Sequence, residues 1–266
     1  MLERLAVIPP RPVVSRRMFT AAVAAVLGGF MPRVALGFGQ AGTFRVRRIT
    51  TGTVRPDPTR DLAASRWAWE LIQRTSASAR LEGLSMPAQS SQLLDEPFVV
   101  WCGAEDPGQL SNVERRSLER YLRLGGLLLV DDSNPSSGAF LRGSRRELSA
   151  LITDSPIQVL PPTHVVFKSF YLLSRPFGRF VGNGKIEAIC RGRYAQVLFL
   201  DCDLMGALAT RADGRFALEM ANGGARQREE ALRLAVNLAM YLLCSDYKDD
   251  QVHAAWLMRH RMQIRK

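Results

Sequence analysis

Pro97-Phe98-Val99-Val100-Trp101-Cys102-Gly103 and Gly125-Gly126-Leu127-Leu128-Leu129-Val130-Asp131-Asp132 are the two stretches that decide the fold. Each holds an unbroken apolar run of strand length, the pattern of a strand covered on both faces. Between them, Ser111 followed by Glu114 reads as a capping box, which opens a helix through Leu118, Tyr121, Leu122 and Leu124. Gly125-Gly126 closes that helix, because glycine enters the left-handed turn at little steric cost. A strand, a helix and a second buried strand in so short a span make a βαβ unit. Such units cross over right-handedly onto a parallel sheet, so the chain is read as α/β.

The pattern continues on both sides. Upstream, Phe44-Arg45-Val46-Arg47-Arg48-Ile49 alternates apolar and basic residues like a half-exposed strand. Pro56 and Pro58 then precede a helix that Thr59 or Asp61 is expected to cap. Trp67 and Trp69 on that helix point about 200° apart, so they do not share a core. Downstream, a helix is expected from about Ser137 to Leu151. Lys185–Cys190 and Tyr194–Leu200 are strand-like around Arg191-Gly192-Arg193, which suits a hairpin. Residues 226–244 carry Leu232, Ala235, Val236, Ala239, Met240 and Leu243 at helical spacing. Residues 254–266 form a basic tail, read as a separate terminal helix.

Residues 1–41 are expected to be an export address rather than part of the fold. Ser15-Arg16-Arg17-Met18-Phe19-Thr20 matches the twin-arginine consensus at the serine, both arginines and the phenylalanine. The apolar run to Met31 has the length of a signal segment and is too short for a comfortable membrane span. Gly28-Gly29 and Pro32 oppose an ordinary helix there, and small residues offer cleavage after Gly37 or Ala41. The expected location is therefore the periplasm. The membrane is touched only through the signal or the basic tail.

The 266-residue chain carries a formal net charge of +11, of which the signal holds +4. The rest suits an anionic envelope component or an envelope protein as partner. No groove-reading helix or aromatic stacking platform accompanies the charge, which excludes a nucleic-acid reading. Cys102, Cys190, Cys202 and Cys244 form no C-x-x-C pair and lie in or beside apolar runs, so they are read as inert and buried.

Chemistry in an open parallel sheet gathers outside the carboxyl ends of its strands. Polar residues follow three strand ends: Glu105-Asp106, Asp131-Asp132-Ser133-Asn134, and Asp201-Cys202-Asp203. Asp131, Asp132, Asp201 and Asp203 are the candidate ligand-binding residues, with His164 and Lys168 nearby. Carboxylates gathered on one rim bind a ligand or a divalent metal, or supply an acid and a base. They also cap helices and accept backbone N–H bonds, the commoner use of a loop-end Asp. Cys102 before Gly103 suggests a nucleophile elbow, but Trp101 occupies the position where an elbow needs glycine. No particular cofactor is implied.

Taken in order, these motifs resemble the bacterial domain of unknown function 4159. The resemblance rests on Phe44–Ile49, on Leu122-x-x-Gly125-Gly126 through Asp132, on His164-Val165-Val166-Phe167-x-x-Phe170-Tyr171, and on Asp203-Leu204-Met205-Gly206-Ala207. Arg233-Leu234-Ala235-Val236-Asn237-Leu238-x-Met240-Tyr241 and Tyr247-Lys248-x-Asp250-Gln251-Val252-His253 complete it. It implies a flavodoxin-like three-layer α/β sandwich similar to class I glutamine amidotransferases. The sheet would be mostly parallel, with helices on both faces and a C-terminal hairpin added, over residues 42–253. Those enzymes use a glycine-flanked Cys and a late His-x-Glu pair. Trp101 precedes Cys102, and neither His253-Ala254-Ala255 nor His260-Arg261-Met262 supplies the Glu, so glutaminase chemistry is not expected. The expected function is ligand or envelope-partner binding at the carboxyl-end rim; the alternative is a periplasmic, metal-assisted hydrolase of a saccharide, amide or ester.

Overall fold

Among the described residues, seven strands form one sheet. The computed structural model describes residues 43–52, 54 and 56–263, with residues 245–263 described as backbone only. The expected signal, with Arg16 and Arg17, lies outside the described residues, as do the side chains of the tail 254–266. The strands are β1 (Arg47–Thr50), β2 (Leu84–Pro87), β3 (Phe98–Gly103), β4 (Leu127–Asp132), β5 (Ile157–Val159), β6 (Glu187–Arg191) and β7 (Tyr194–Leu200). The helices are α1 (Ala63–Arg74), α2 (Asn112–Arg123), α3 (Ala139–Leu151), α4 (Leu204–Leu208) and α5 (Gly224–Gln263).

The sheet order is β2-β1-β3-β4-β7-β6-β5. The first five strands run parallel, while β6 is antiparallel to both β7 and β5. The parallel part follows the doubly wound flavodoxin-like order, with its topological switch between β1 and β3. The hairpin β6–β7 is therefore only half an addition, since β7 is the fifth parallel strand.

Side chains alternate across the sheet into two cores. Phe98 and Val100 of β3, Leu129 of β4 and Leu198 and Leu200 of β7 face α1, α4 and α5. Val99 and Trp101, Leu128 and Val130, and Val197 and Phe199 face α2 and α3. The result is an α/β/α sandwich. The capping box at α2 is complete: the Ser111 hydroxyl accepts from the Glu114 amide, and the Glu114 carboxylate accepts from the Ser111 amide. A side chain at Gly126 would place Cβ 2.3 Å from the Tyr121 ring, so the turn into β4 requires glycine. Trp67 is fully buried, and its indole donates to the Ala235 carbonyl of α5 at 2.7 Å. Truncating such an anchor typically costs about 3–5 kcal/mol.

Several expectations are corrected. Of the Phe44–Ile49 stretch only Arg47–Ile49 belongs to β1, which is an interior strand between β2 and β3 rather than a half-exposed one. The basic residues of the stretch are neutralised: Arg45 and Arg47 both bond Glu96, itself 5% exposed. Neither Thr59 nor Asp61 caps α1; Asp57 caps the short turn Pro58–Arg60, and α1 starts beyond it without a side-chain cap. Trp69 does not share the core of Trp67; it is exposed, with the Arg66 guanidinium 4.6 Å above it. One continuous helix spans Gly224–Gln263, consistent with the absence of Gly and Pro from 225 to 266. All four cysteines are free, but only Cys202 is fully buried and Cys244 is exposed.

Candidate functional site

Because β3, β4 and β7 are parallel neighbours, their carboxyl ends lie on one edge of the sheet. Asp131, Asp132, Asp201 and Asp203 are brought to that edge. The local structure engages each of them differently. Asp131 is wholly buried, and its two oxygens accept the amides of Leu204 at 2.9 Å and Met205 at 2.7 Å. It thereby caps the first turn of α4. Burial, reinforced by the charge of Asp203, pushes its pKa up to about 8.

Asp203 is the one described non-glycine residue with positive φ, at 54°. That left-handed geometry lets its carboxylate turn back to accept the Gly206 amide at 2.9 Å. The same carboxylate accepts two bonds from Arg60, at 3.1 and 2.8 Å, and one from Arg179 at 2.5 Å. Arg60 also pairs with Asp57. A strained residue with two arginines attached joins the loop after β1 and the segment before β6 to the start of α4.

Asp132 and Asp201 are less completely engaged. Asp132 Oδ1 accepts the Asn134 amide at 2.8 Å, and Asp201 Oδ2 accepts the Asn183 amide at 2.8 Å. The other oxygens, Asp132 Oδ2 and Asp201 Oδ1, are buried without a hydrogen-bond partner among the described residues. The Leu141 amide at the start of α3 also favours the charged form of Asp132, against its burial. Burial raises the pKa of both carboxyls.

His164 and Lys168 do not join this rim. His164 accepts the Val166 amide at Nδ1, at 3.3 Å, and its ring packs against Tyr241, 5.7 Å between centroids. The Tyr241 hydroxyl in turn accepts the Ala195 amide at the start of β7. Both residues therefore lie at the amino-terminal edge, the opposite end of the parallel strands. Burial lowers the His164 pKa, and the charge of Lys168 adds to the effect.

The concavity at the carboxyl edge lies over the β1/β3 switch point. Arg48, Thr50, Val54, Asp57 and Arg60 line one side of a cavity of about 80 Å³, and Cys102, Gly103, Ala104 and Ser133 line the other. Burial and the charge of Asp131 push the Cys102 thiol up to about 12, so it stays protonated and is a poor nucleophile. Sequence reasoning reached Cys102 and named Ser133 among the polar residues after one strand end, but it missed Arg48 and Arg60 as residues of the site. Arg48 and Arg60 become visible only once the first strand is recognised as interior, which sends its following loop across the switch point.

The motif residues find one another in space. Asp131 of the Gly-Gly-to-Asp-Asp segment caps the Asp203–Ala207 segment. The Asn237 side chain accepts the Tyr171 amide at 2.7 Å and donates to the carbonyls of Tyr171 and Val166 at 2.8 and 3.0 Å. No curated protein matches the chain. The family described as Domain of unknown function (DUF4159) matches residues 47–243, which span all seven strands and all these paired motifs, and the chain belongs to that family.

Proposed function

We propose that this chain is an exported binding domain that holds a ligand, or one group of an envelope partner, in the crevice between β1 and β3. The observation that carries the proposal is the cavity lined by Arg48, Cys102 and Ser133 at the switch point, the place where open α/β sheets take ligands. Its volume, about 80 Å³, lies below the roughly 300 Å³ at which whole small-molecule pockets begin. The occupant is accordingly one small group. Twin-arginine export places that partner in the periplasm, and the positive charge remaining after the signal suits an anionic envelope component. We place the fold near the class I glutamine amidotransferases, a lineage supported by the strand order and accompanied here by loss of the catalytic cysteine's setting.

Binding is favoured over hydrolysis because Asp131 and Asp203 are engaged by backbone amides and arginines, which leaves neither as a free acid or base. The hydrolase reading keeps one specific support, the two unpartnered oxygens of Asp132 and Asp201. Among the described residues, however, no group of three or more side chains is placed to hold a metal. Metal analysis of the purified protein tests it: a stoichiometric divalent ion that Asp201→Asn removes would revive hydrolysis.

The binding reading is tested by NMR titration of the full chain with a panel of small neutral and charged compounds. Saturable shifts should concentrate at Ile49, Cys102, Gly103 and Ser133 and disappear in Ala104→Trp, which fills the crevice mouth. Shifts confined to other surfaces, or none in the crevice for any compound, would overturn it.

A further inference from the structure

Two arginines line the crevice, and their situations differ. Arg60 is saturated, with bonds to Asp203, Asp57 and Thr59. Arg48 is almost as buried, its side chain 9% exposed, yet its single partner among the described residues is Asp61 at 2.5 Å. That leaves most of a five-donor guanidinium unused in a cavity wall. Asp61 is itself 55% exposed on its side chain, so water is free to take Arg48's place beside it. The Asp57 carboxylate also lines the cavity but is occupied by the Thr59 amide, the Thr59 hydroxyl and Arg60.

Across the cavity stands Ser133, 8% exposed. Its backbone amide is tied to the Gly103 carbonyl at 2.8 Å, while its hydroxyl makes no hydrogen bond within the described residues. The neighbouring Cys102 thiol keeps its proton and adds no negative charge. Among the described residues, unused donors therefore line the cavity, and the one carboxylate in its lining, Asp57, is already taken. A buried guanidinium with unused donors is a recognition element for a planar or tetrahedral oxyanion.

We infer that the crevice binds a single small oxyanion, a carboxylate or a phosphate group, with Arg48 as its anchor and the Ser133 hydroxyl as second donor. This deepens the binding proposal and rests on it. The group is either a free small anion or the exposed end of a larger envelope molecule; both present the same chemistry to Arg48.

The test is calorimetric titration of the full chain with inorganic phosphate and with acetate, against chloride at matched ionic strength. One probe or both should bind saturably beyond chloride, and which one binds tells phosphate from carboxylate. Arg48→Gln should weaken binding at least tenfold, and Ser133→Ala roughly threefold. Arg146→Gln, outside the crevice lining on its exposed pair with Asp106, should leave binding unchanged. Should Arg48→Gln fail to fold, Arg48→Lys keeps the charge and loses the planar fork, and a loss of at least fivefold is then expected. Failure of both anions to exceed chloride, or full affinity in a folded Arg48 variant, overturns the inference. A neutral compound that shifts Gly103 and Ser133 while both anions fail would sink the oxyanion and spare the crevice.

Discussion

Replacing Asp131 by Asn removes an ionisable group and almost no volume, so its effect is read directly from the bonds that the carboxyl group makes. It accepts two amides, Leu204 and Met205, at a site with no exposure. At pH 5 the protonated carboxyl accepts one amide at its carbonyl oxygen and the other at the lone pairs of its hydroxyl; Asn keeps the carbonyl but sets an NH2 group, which does not accept, against the second amide. An unsatisfied buried N–H costs about 1–3 kcal/mol, so a loss of about 2 kcal/mol at pH 5 is expected. For a domain of this size that lowers Tm by about 4–8 °C. The pH dependence is the sharper test. Asp131 has its pKa raised to about 8 in the folded protein, against 3.8 ordinarily, so between these values the native state keeps a proton the unfolded chain releases. Stability from this group is complete below pH 3.8 and is lost as pH rises through about 8. Each pH unit inside that window takes up to about 1.4 kcal/mol from the wild type and nothing from the variant. Thermal melts of both proteins from pH 5 to pH 9 should show the wild type's advantage vanish between about pH 6 and pH 7 and then reverse in favour of the variant. A constant advantage, or one that widens with pH, would refute the reasoning: Asp131 would then be ionised throughout, its two amide bonds outweighing burial and the charge of Asp203.

Three further outcomes are expected. His164 titrates in the opposite sense: burial lowers its pKa, so the stability it contributes is present above pH 6.5 and is lost as pH falls below it. His164→Gln should flatten the decline of Tm between pH 7 and pH 5, and an unchanged decline counts against that assignment. Asn237→Asp loses both donors to the Val166 and Tyr171 carbonyls and sets a carboxylate against them, for a cost of about 3 kcal/mol. Amide exchange at Tyr171 should accelerate before global unfolding; exchange that quickens only together with the whole sheet argues against a local clamp. Replacing Arg16 and Arg17 together by Lys should hold the protein in the cytoplasm, as cell fractionation would reveal, and normal export of the double variant removes the twin-arginine reading.

The parallel sheet was legible because its centre announces itself. Val99–Trp101 and Leu127–Val130 are apolar on both faces, and Ser111, Glu114 and Gly125 mark where the crossover helix starts and stops. The edges were not legible. Leu84–Pro87 contains one buried residue and Ile157–Val159 none, so neither carries a period for pattern reading to find. Arg45, Arg47 and Arg48 disguised an interior strand as a half-exposed one, because the buried acid that neutralises two of them, Glu96, lies some fifty residues away. His164 was misplaced for a related reason. Sequence proximity to Lys168 says nothing about which end of the sheet a connection visits, and only the contacts with Tyr241 and the start of β7 decide that.

The aspartates converge as the strand ends suggested, and their hydrogen bonds change what that convergence means. Asp131 is consumed by α4, Asp203 by Gly206 and two arginines, and Asn237 by the 166–171 turn. The most recognisable motifs of the chain thus hold its connections in place. A residue required in the same rotamer by the fold is a poor candidate for meeting a ligand that comes and goes, since exchanging partners exposes a buried amide or guanidinium each time. Groups able to change partner at low cost are the ones left incomplete: Arg48, whose lone acid is half in water, and Ser133, whose hydroxyl is unclaimed. Both sit where the doubly wound topology opens its crevice. In this chain the aspartate and asparagine motifs build the walls, and the recognition chemistry falls to Arg48, inside the first motif, and to Ser133, one residue beyond the second.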